Sequence, residues 1–407
     1  MTSIGERAFS DCFNLASATI GNGVTSIGYE AFFNCPKLET LSLDCVSIGG
    51  DWVSGMSQIK KLTLGNSVKE IGGYAFQQCT GLTSVTIGNK VKTIGERAFD
   101  GCTSIKELTI PNSVESIADW AFCYCTSLNT LNLGSSLQTI GTGAFMQCNA
   151  LNAVNLPNSL KSLGQQAFAD CPKLSTVNFN NGLESIGKAC FYLDKSLKSA
   201  TLPNSVSELG EGVFHKCESL ETLWLGNSLK TVEYMLADSC SSLKSIYIPE
   251  SVTSIKDLAF NRCYSLTGII IDKNVKTMGE GVFQFCNDLE DIYTFIEKPF
   301  TINENVFNSS TNVYGFATLH VPYGTSSRYK SISSWSNFNK IKEMAEGTTA
   351  GIDSQFLNDS SQSATNVLRR VKGIYTLTGV KVSDDAADLK TLKRGIYIVN
   401  GRKVAVK

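Results

Sequence analysis

Residues 79–102 read CTGLTSVTIGNKVKTIGERAFDGC, and this stretch holds the pattern that decides the fold. It opens and closes on cysteines that lie 23 residues apart, and a phenylalanine precedes the second cysteine by three positions. Aliphatic residues follow the first cysteine at three, six and eight positions. The alternation at 85–87 is typical of a β-strand with one apolar face. Residues 96–102 are too few for a stable helix, so they predict turns or one 3₁₀ turn.

The same unit recurs along most of the chain and gives thirteen cysteine positions, of which eleven hold cysteine. Met56 and Asp194 occupy the other two, Met56 after a unit that is shorter by two. One unit cannot bury its own inward side chains, so stacked copies must bury them and pair their strands into a parallel sheet. The cysteines of this cysteine ladder are Cys12, Cys35, Cys79, Cys102, Cys125, Cys148, Cys171, Cys217, Cys240, Cys263 and Cys286.

The pattern predicts a mainly β fold, a right-handed leucine-rich-repeat solenoid with a parallel sheet and short turns or 3₁₀ segments. The repeats of 23 residues fill 1–296. An aromatic-rich segment without that period, 297–345, is predicted to cap the solenoid. The polar composition of 346–366 predicts a flexible linker. Alternating apolar residues in 367–407 predict a small C-terminal β module, which carries ten Lys or Arg against three Asp.

Composition narrows the classes of function. Lys plus Arg number 36 and Asp plus Glu 37, so a net charge of −1 gives no electrostatic reason to bind nucleic acid. No apolar run is long enough for a transmembrane helix. The chain as written opens in mid-repeat without a signal peptide, and we expect its N-terminus to be truncated.

Residues that could carry chemistry are scarce. The two histidines, His215 and His320, have no fixed carboxylate or nucleophile partner in the repeat, and no phosphate-binding loop occurs. The cysteine spacing does not fit a zinc site, so we predict no metal, no cofactor and no enzymatic activity. Buried thiols are favoured over disulfides for the ladder, because Met56 can replace a cysteine there. Cys190, which takes an alanine position of the repeat, is expected to be buried as well.

The residues seven after each cysteine position, here called the outward row, should face solvent from the sheet. Most of them are Thr, Ser or Asn, but the last four are large. In line on neighbouring strands, these four predict an exposed apolar stripe. Two interpretations stay open: the side chains stabilise one another under the cap, or they anchor a protein or glycan ligand. The four residues are Trp224, Tyr247, Ile270 and Tyr293.

The unit, with 94–102 as a clean example, resembles the BspA-like class of leucine-rich repeats over 1–296. That resemblance implies a surface or secreted protein of the kind implicated in adhesion and protein binding. The tail 388–407 is similar to the C-terminal sorting domain of Bacteroidetes type IX secretion, which implies export.

We therefore expect an extracellular or cell-surface adhesion protein that uses the solenoid face to bind a protein, such as one from a host or its matrix. One alternative is a glycan-binding module that uses the aromatic end of the outward row. Two more hypotheses are a non-catalytic fragment of a larger surface protein and an enzyme fragment whose catalytic domain is lost.

Overall fold

The chain is a parallel-sheet β-solenoid with very little helix, as its sequence predicts. A computed structural model describes most of the chain. The chain divides into two compact units, each containing several repeats: the first unit is Met1–Leu220 and the second unit is Glu221–Lys407. The described residues are 2–45, 47–49, 53–348, 374–376, 381–383, 395–399 and 402–406.

Each turn of the solenoid contributes one longer strand, and these strands form the strand ladder. Paired neighbouring strands are parallel, and most pairs lie 23 residues apart in register, as with Thr109 and Asn132. In the first unit the strands are Ser17–Ile20, Thr40–Leu43, Lys61–Leu64, Ser84–Thr86, Glu107–Thr109, Thr130–Asn132, Ala153–Asn155, Thr176–Asn178 and Ser199–Thr201. In the second unit they are Thr222–Trp224, Ser245–Ile248, Gly268–Ile271 and Asp291–Thr294, followed by Thr318–Val321 and Lys340–Glu343.

A second ladder is built from two-residue strands that follow a turn, which contains asparagine in most repeats. In the first unit these strands are Ser3–Ile4, Ser26–Ile27, Ser47–Ile48, Glu70–Ile71, Thr93–Ile94, Ser116–Ile117, Thr139–Ile140, Ser162–Leu163, Ser185–Ile186 and Glu208–Leu209. In the second unit they are Thr231–Val232, Ser254–Ile255 and Thr277–Met278. The turn between the ladders is tied to the next turn by its asparagine, since Asn66 Oδ1 accepts the Asn89 N–H at 3.0 Å.

The predicted turn segment contains turns in every repeat, and its backbone bonds to the following repeat. The N–H groups of Arg97, Phe99 and Gly101 donate to carbonyls of the next turn at 3.0, 2.7 and 2.8 Å. Arg97 and Gly101 adopt left-handed backbone conformations, with φ of 51° and 73°. Equivalent positions hold non-glycine residues in most turns, so the strain of these conformations is offset by the ladder of hydrogen bonds.

The region predicted as a cap continues the parallel sheet instead of only closing it. Strand Thr318–Val321 pairs with Asp291–Thr294 and with Lys340–Glu343, both in parallel. Short helices Val313–Phe316 and Ser326–Ser331 and a 3₁₀ turn, Trp335–Asn337, lie between the strands. The domain borders at 296, 345 and 366 stay predictions.

The C-terminal module contains four antiparallel strands, Ile374–Thr376, Lys381–Ser383, Gly395–Val399 and Arg402–Val406. Their order in the sheet places the second strand at one edge and the last at the other. The described part of 367–407 thus contains β-strands, as the alternating apolar residues predict. Most of the predicted linker, from 349 onward, lies outside the described residues.

Candidate functional site

Two columns of side chains run through the interior and help to hold each turn in register with the next. Phe76, Phe99, Phe122 and Phe145 stack with ring centroids 5.1 to 5.3 Å apart. The cysteine ladder runs beside this column, and all of its members except Cys12 are buried. A site on the strand ladder therefore has neighbouring turns about 4.8 Å apart.

The ladder cysteines are all free thiols. Most of these thiols do more than fill space, because they donate to a main-chain carbonyl of the preceding turn. Cys102 Sγ lies 3.1 Å from the Phe76 oxygen, and Cys148 Sγ lies 3.4 Å from the Phe122 oxygen. Burial raises the pKa of Cys79 to about 12, so the thiolate that reacts with disulfides or metals is disfavoured.

The prediction of an exposed apolar stripe at the end of the outward row is wrong for three of its four members. Trp224 is only 7% exposed, Tyr247 9% and Ile270 3%, while Tyr293 is half-buried. Alternation along the strand places these side chains on the outward face, as predicted, but that face is covered here. Phe295 and Met344 belong to the same apolar cluster; we call these six residues the outward cluster.

Specific contacts fix the outward cluster. The Trp224 and Tyr247 rings stack with centroids 5.6 Å apart. The Tyr247 hydroxyl donates to Asp272 Oδ2 at 2.8 Å, and burial raises the pKa of this tyrosine far above its ordinary value. Because the tyrosine hydroxyl already has a hydrogen-bond partner inside the protein, this side chain is part of the packing and is not free to bind a ligand.

The half-buried end of the cluster is polar. The Tyr293 and His320 rings stack at 4.1 Å, and His320 Nε2 lies 2.7 Å from Asp291 Oδ1. The other histidine, His215, stacks with Tyr192 in the turn segment. Within the described part of the chain no group of three or more His, Cys, Asp or Glu side chains could hold a metal ion.

The outward row of the first unit carries only hydroxyl and amide groups, and from Thr86 onward every member is exposed. Neighbouring side chains bond to each other along the row. Asn178 Nδ2 donates to Asn155 Oδ1 at 2.6 Å, and Asn132 Nδ2 donates to Thr109 Oγ1 at 3.3 Å. This surface, here called the polar row, consists of Thr86, Thr109, Asn132, Asn155, Asn178 and Thr201.

A second surface feature lies on the turn segment and has no signature in the sequence. The Arg97 guanidinium lies 4.8 Å from the Trp120 ring centre, and its Nη1 donates to Asp100 Oδ2 at 3.0 Å. Tyr74 donates its hydroxyl proton to Glu96 at 2.9 Å. Tyr74, Arg97 and Trp120 have left-handed backbones although none is glycine, so residue identity does not reveal the geometry.

The chain belongs to the BspA-type leucine-rich repeat family, whose six-copy model matches residues 1–106, 92–221 and 184–314. No described helix is long and apolar enough to cross a membrane. The chain has no significant match among curated protein sequences.

Solved structures of leucine-rich repeat proteins from several bacteria are similar to this chain. A leucine-rich repeat protein from Bacteroides ovatus is 25% identical with a TM-score of 0.59, and the alignment covers 85% of this chain and 88% of that one. A leucine-rich cell surface protein from Faecalibacterium prausnitzii is 26% identical with a TM-score of 0.39, over 82% and 86% of the chains. These relatives are repeat proteins, and no enzyme family is indicated.

Proposed function

We propose that this chain is an exported or cell-surface binding protein whose polar row recognises a protein partner. The observation that carries the proposal is the contrast between the two parts of the outward row. The same strand position is covered by apolar packing in the second unit but carries an exposed, uncharged, hydrogen-bonding surface in the first. Ligand-contacting groups on rigid strands are held more precisely than those on loops.

The chemistry of the polar row fits a protein surface that is itself weakly charged. Amide and hydroxyl side chains supply both donors and acceptors, and they are adaptable partners for main-chain groups. The family supports a protein-interaction role, and the description of the F. prausnitzii relative as a cell surface protein is consistent with display outside the cell. We also propose that the C-terminal module, residues 367–407, is a sorting signal that directs export of the protein.

Ligand binding by Trp224, Tyr247, Ile270 and Tyr293 stays a prediction. Burial of the first three leaves Tyr293 as the member that a ligand would reach, so the glycan alternative has lost its exposed aromatic platform. A glycan array run beside a panel of purified extracellular-matrix proteins separates the two classes of ligand. Binding to glycans alone would contradict a protein partner.

Photo-crosslinking locates the binding face directly, because the product itself marks which surface the partner touches. A photoreactive amino acid is placed at Asn155, in the polar row, or at the exposed Gln165 of the turn segment as a matched control. With a protein that the panel identifies, we expect a crosslinked product from position 155 and little from 165. Efficient crosslinking from 165 alone would move the binding face to the turn segment.

A further inference from the structure

Asp194 occupies a position of the cysteine ladder, between Cys171 and Cys217, and is fully buried. The neighbouring ladder residues are neutral thiols, and burial of an ionised carboxylate among such groups is unfavourable without a cation beside it. Titratable groups lie in the preceding, the same and the following turn. They include Asp170, whose charge repels a second carboxylate, and the thiols of Cys171 and Cys190, which ionise with difficulty. The buried thiol of Cys217 follows Asp194 in the ladder.

Hydrogen bonds around Asp194 differ from those at a cysteine. Asp194 Oδ1 accepts the Cys171 N–H at 2.8 Å. In the turns of Cys125 and Cys148, the equivalent N–H donates to the phenylalanine carbonyl of its own turn, at 3.3 and 3.4 Å. The carboxylate has therefore drawn one donor away from its usual acceptor.

Two acceptors are left without a donor by this exchange. Asp194 Oδ2 is buried and has no hydrogen-bond partner among the described residues. A thiol at this ladder position would donate to the carbonyl of the phenylalanine in the preceding turn, as Cys171 Sγ does to the Phe145 oxygen at 3.3 Å. For position 194 that carbonyl is Phe168, which accepts no hydrogen bond in the described part of the chain.

We propose that Asp194 is a neutral carboxylic acid in the folded protein at neutral pH, and that its Oδ2–H donates to the Phe168 carbonyl. One proton converts two unsatisfied acceptors into a donor and an acceptor, and reproduces the bond that thiols make elsewhere in the ladder. The solenoid then contains a pH-sensitive turn, because the proton must leave when Asp194 is exposed by unfolding.

The direction of the pH effect follows from the two states. Burial raises the pKa of the Asp194 carboxyl well above its ordinary value, against the lowering effect of the Cys171 N–H, and Asp170 raises it further. The folded state therefore holds a proton that the unfolded state has released at neutral pH. The contribution of Asp194 to stability is fully present below the unfolded pKa of about 4 and is lost as pH rises toward the folded pKa.

Asp194→Asn tests the proposal, because its amide donates where the acid would donate and its oxygen still accepts the Cys171 N–H. Asp170→Asn is the control; this half-buried carboxylate accepts Gln147 Nε2 at 2.9 Å and lies one turn earlier. Urea unfolding of the full chain is followed by circular dichroism from pH 4.5 to 8.5. We expect the unfolding constant of Asp194→Asn to be at least about a hundredfold below that of the parent at pH 8, and no more than about fivefold below it at pH 4.5, where the unfolded carboxyl is only partly ionised.

Infrared difference spectra of parent minus Asp194→Asn provide a second readout, since a protonated acid and a carboxylate absorb at different frequencies. We expect a protonated-acid band at pH 7 that is absent from the parent minus Asp170→Asn spectrum. If Asp194→Asn does not fold, Asp194→Cys, which restores the ladder residue, replaces it in both measurements. A carboxylate band at pH 7, or a stability gain that does not depend on pH, would overturn the proposal.

Discussion

Replacing Trp224 by threonine separates a covered outward cluster from an exposed binding stripe. Threonine is the residue at the same strand position in Thr86 and Thr109, so the strand itself tolerates the change. Any loss of stability therefore reports what the indole contacts. In the structure those contacts include the stacked Tyr247 ring at 5.6 Å and the rest of the outward cluster.

The magnitude follows from burial, since only 7% of Trp224 is exposed. A buried tryptophan side chain removes about 200 Å² from water, worth about 5 kcal/mol at about 25 cal/mol per Å². Threonine retains part of that area, and truncations of buried aromatic residues cost about 3–5 kcal/mol. We expect a loss near the lower end of that range, about 3 kcal/mol.

Guanidinium unfolding followed by far-ultraviolet circular dichroism measures this loss as a shift of the midpoint at constant slope. Tyr293→Thr, at the half-buried end of the row, is the matched control and should cost about 1 kcal/mol or less. A loss below about 0.5 kcal/mol for Trp224→Thr, the range of ordinary surface substitutions, would refute the buried cluster and restore the exposed stripe.

Three further outcomes are expected. The ladder thiols should react slowly with an alkylating reagent in the folded protein, and Cys12, the half-buried member, should react first; mass spectrometry of timed samples would contradict this if Cys125 reacted as fast. Tyr247→Phe should cost about 1 kcal/mol in urea unfolding because Asp272 Oδ2 loses the tyrosine donor, and an unchanged midpoint would show that this bond contributes nothing. Deleting 367–407 should leave the thermal midpoint of the repeats nearly unchanged and, in the native organism, trap the protein in the periplasm; surface display of the truncated protein would reject the sorting role.

The sequence was sufficient to predict the solenoid because every repeat carries the same spacing of apolar residues, and that spacing determines the strand and the turns. A period of 23 residues becomes the register of the sheet, so Thr109 pairs with Asn132 and Asn155 pairs with Asn178. Alternation at each strand correctly separates inward residues from the outward row. The burial of the cysteine ladder follows from the same alignment of positions.

The burial of the outward cluster could not be predicted, because alternation along a strand assigns each side chain to a face of the sheet but does not show which residues cover that face. Phe295 comes two positions after the outward row, and Met344 follows a strand that has no cysteine period. Strand Thr318–Val321 was not predicted either, because it lies in the segment without the 23-residue period. The left-handed backbone conformation of residues such as Trp120 could not be predicted, because glycine, the usual marker of that conformation, is absent there.

The most direct test of the account measures the affinity of a protein partner for variants of the polar row. Asn155→Lys places a long charged side chain on that surface, and Gln165→Lys makes the same change in charge at an exposed position of the turn segment. An unpaired charge buried by a partner is costly, so we expect Asn155→Lys to weaken binding at least about tenfold, or about 1.4 kcal/mol. Gln165→Lys should bind like the parent. Equal affinity of the parent and Asn155→Lys, with unchanged stability, would contradict recognition by the polar row.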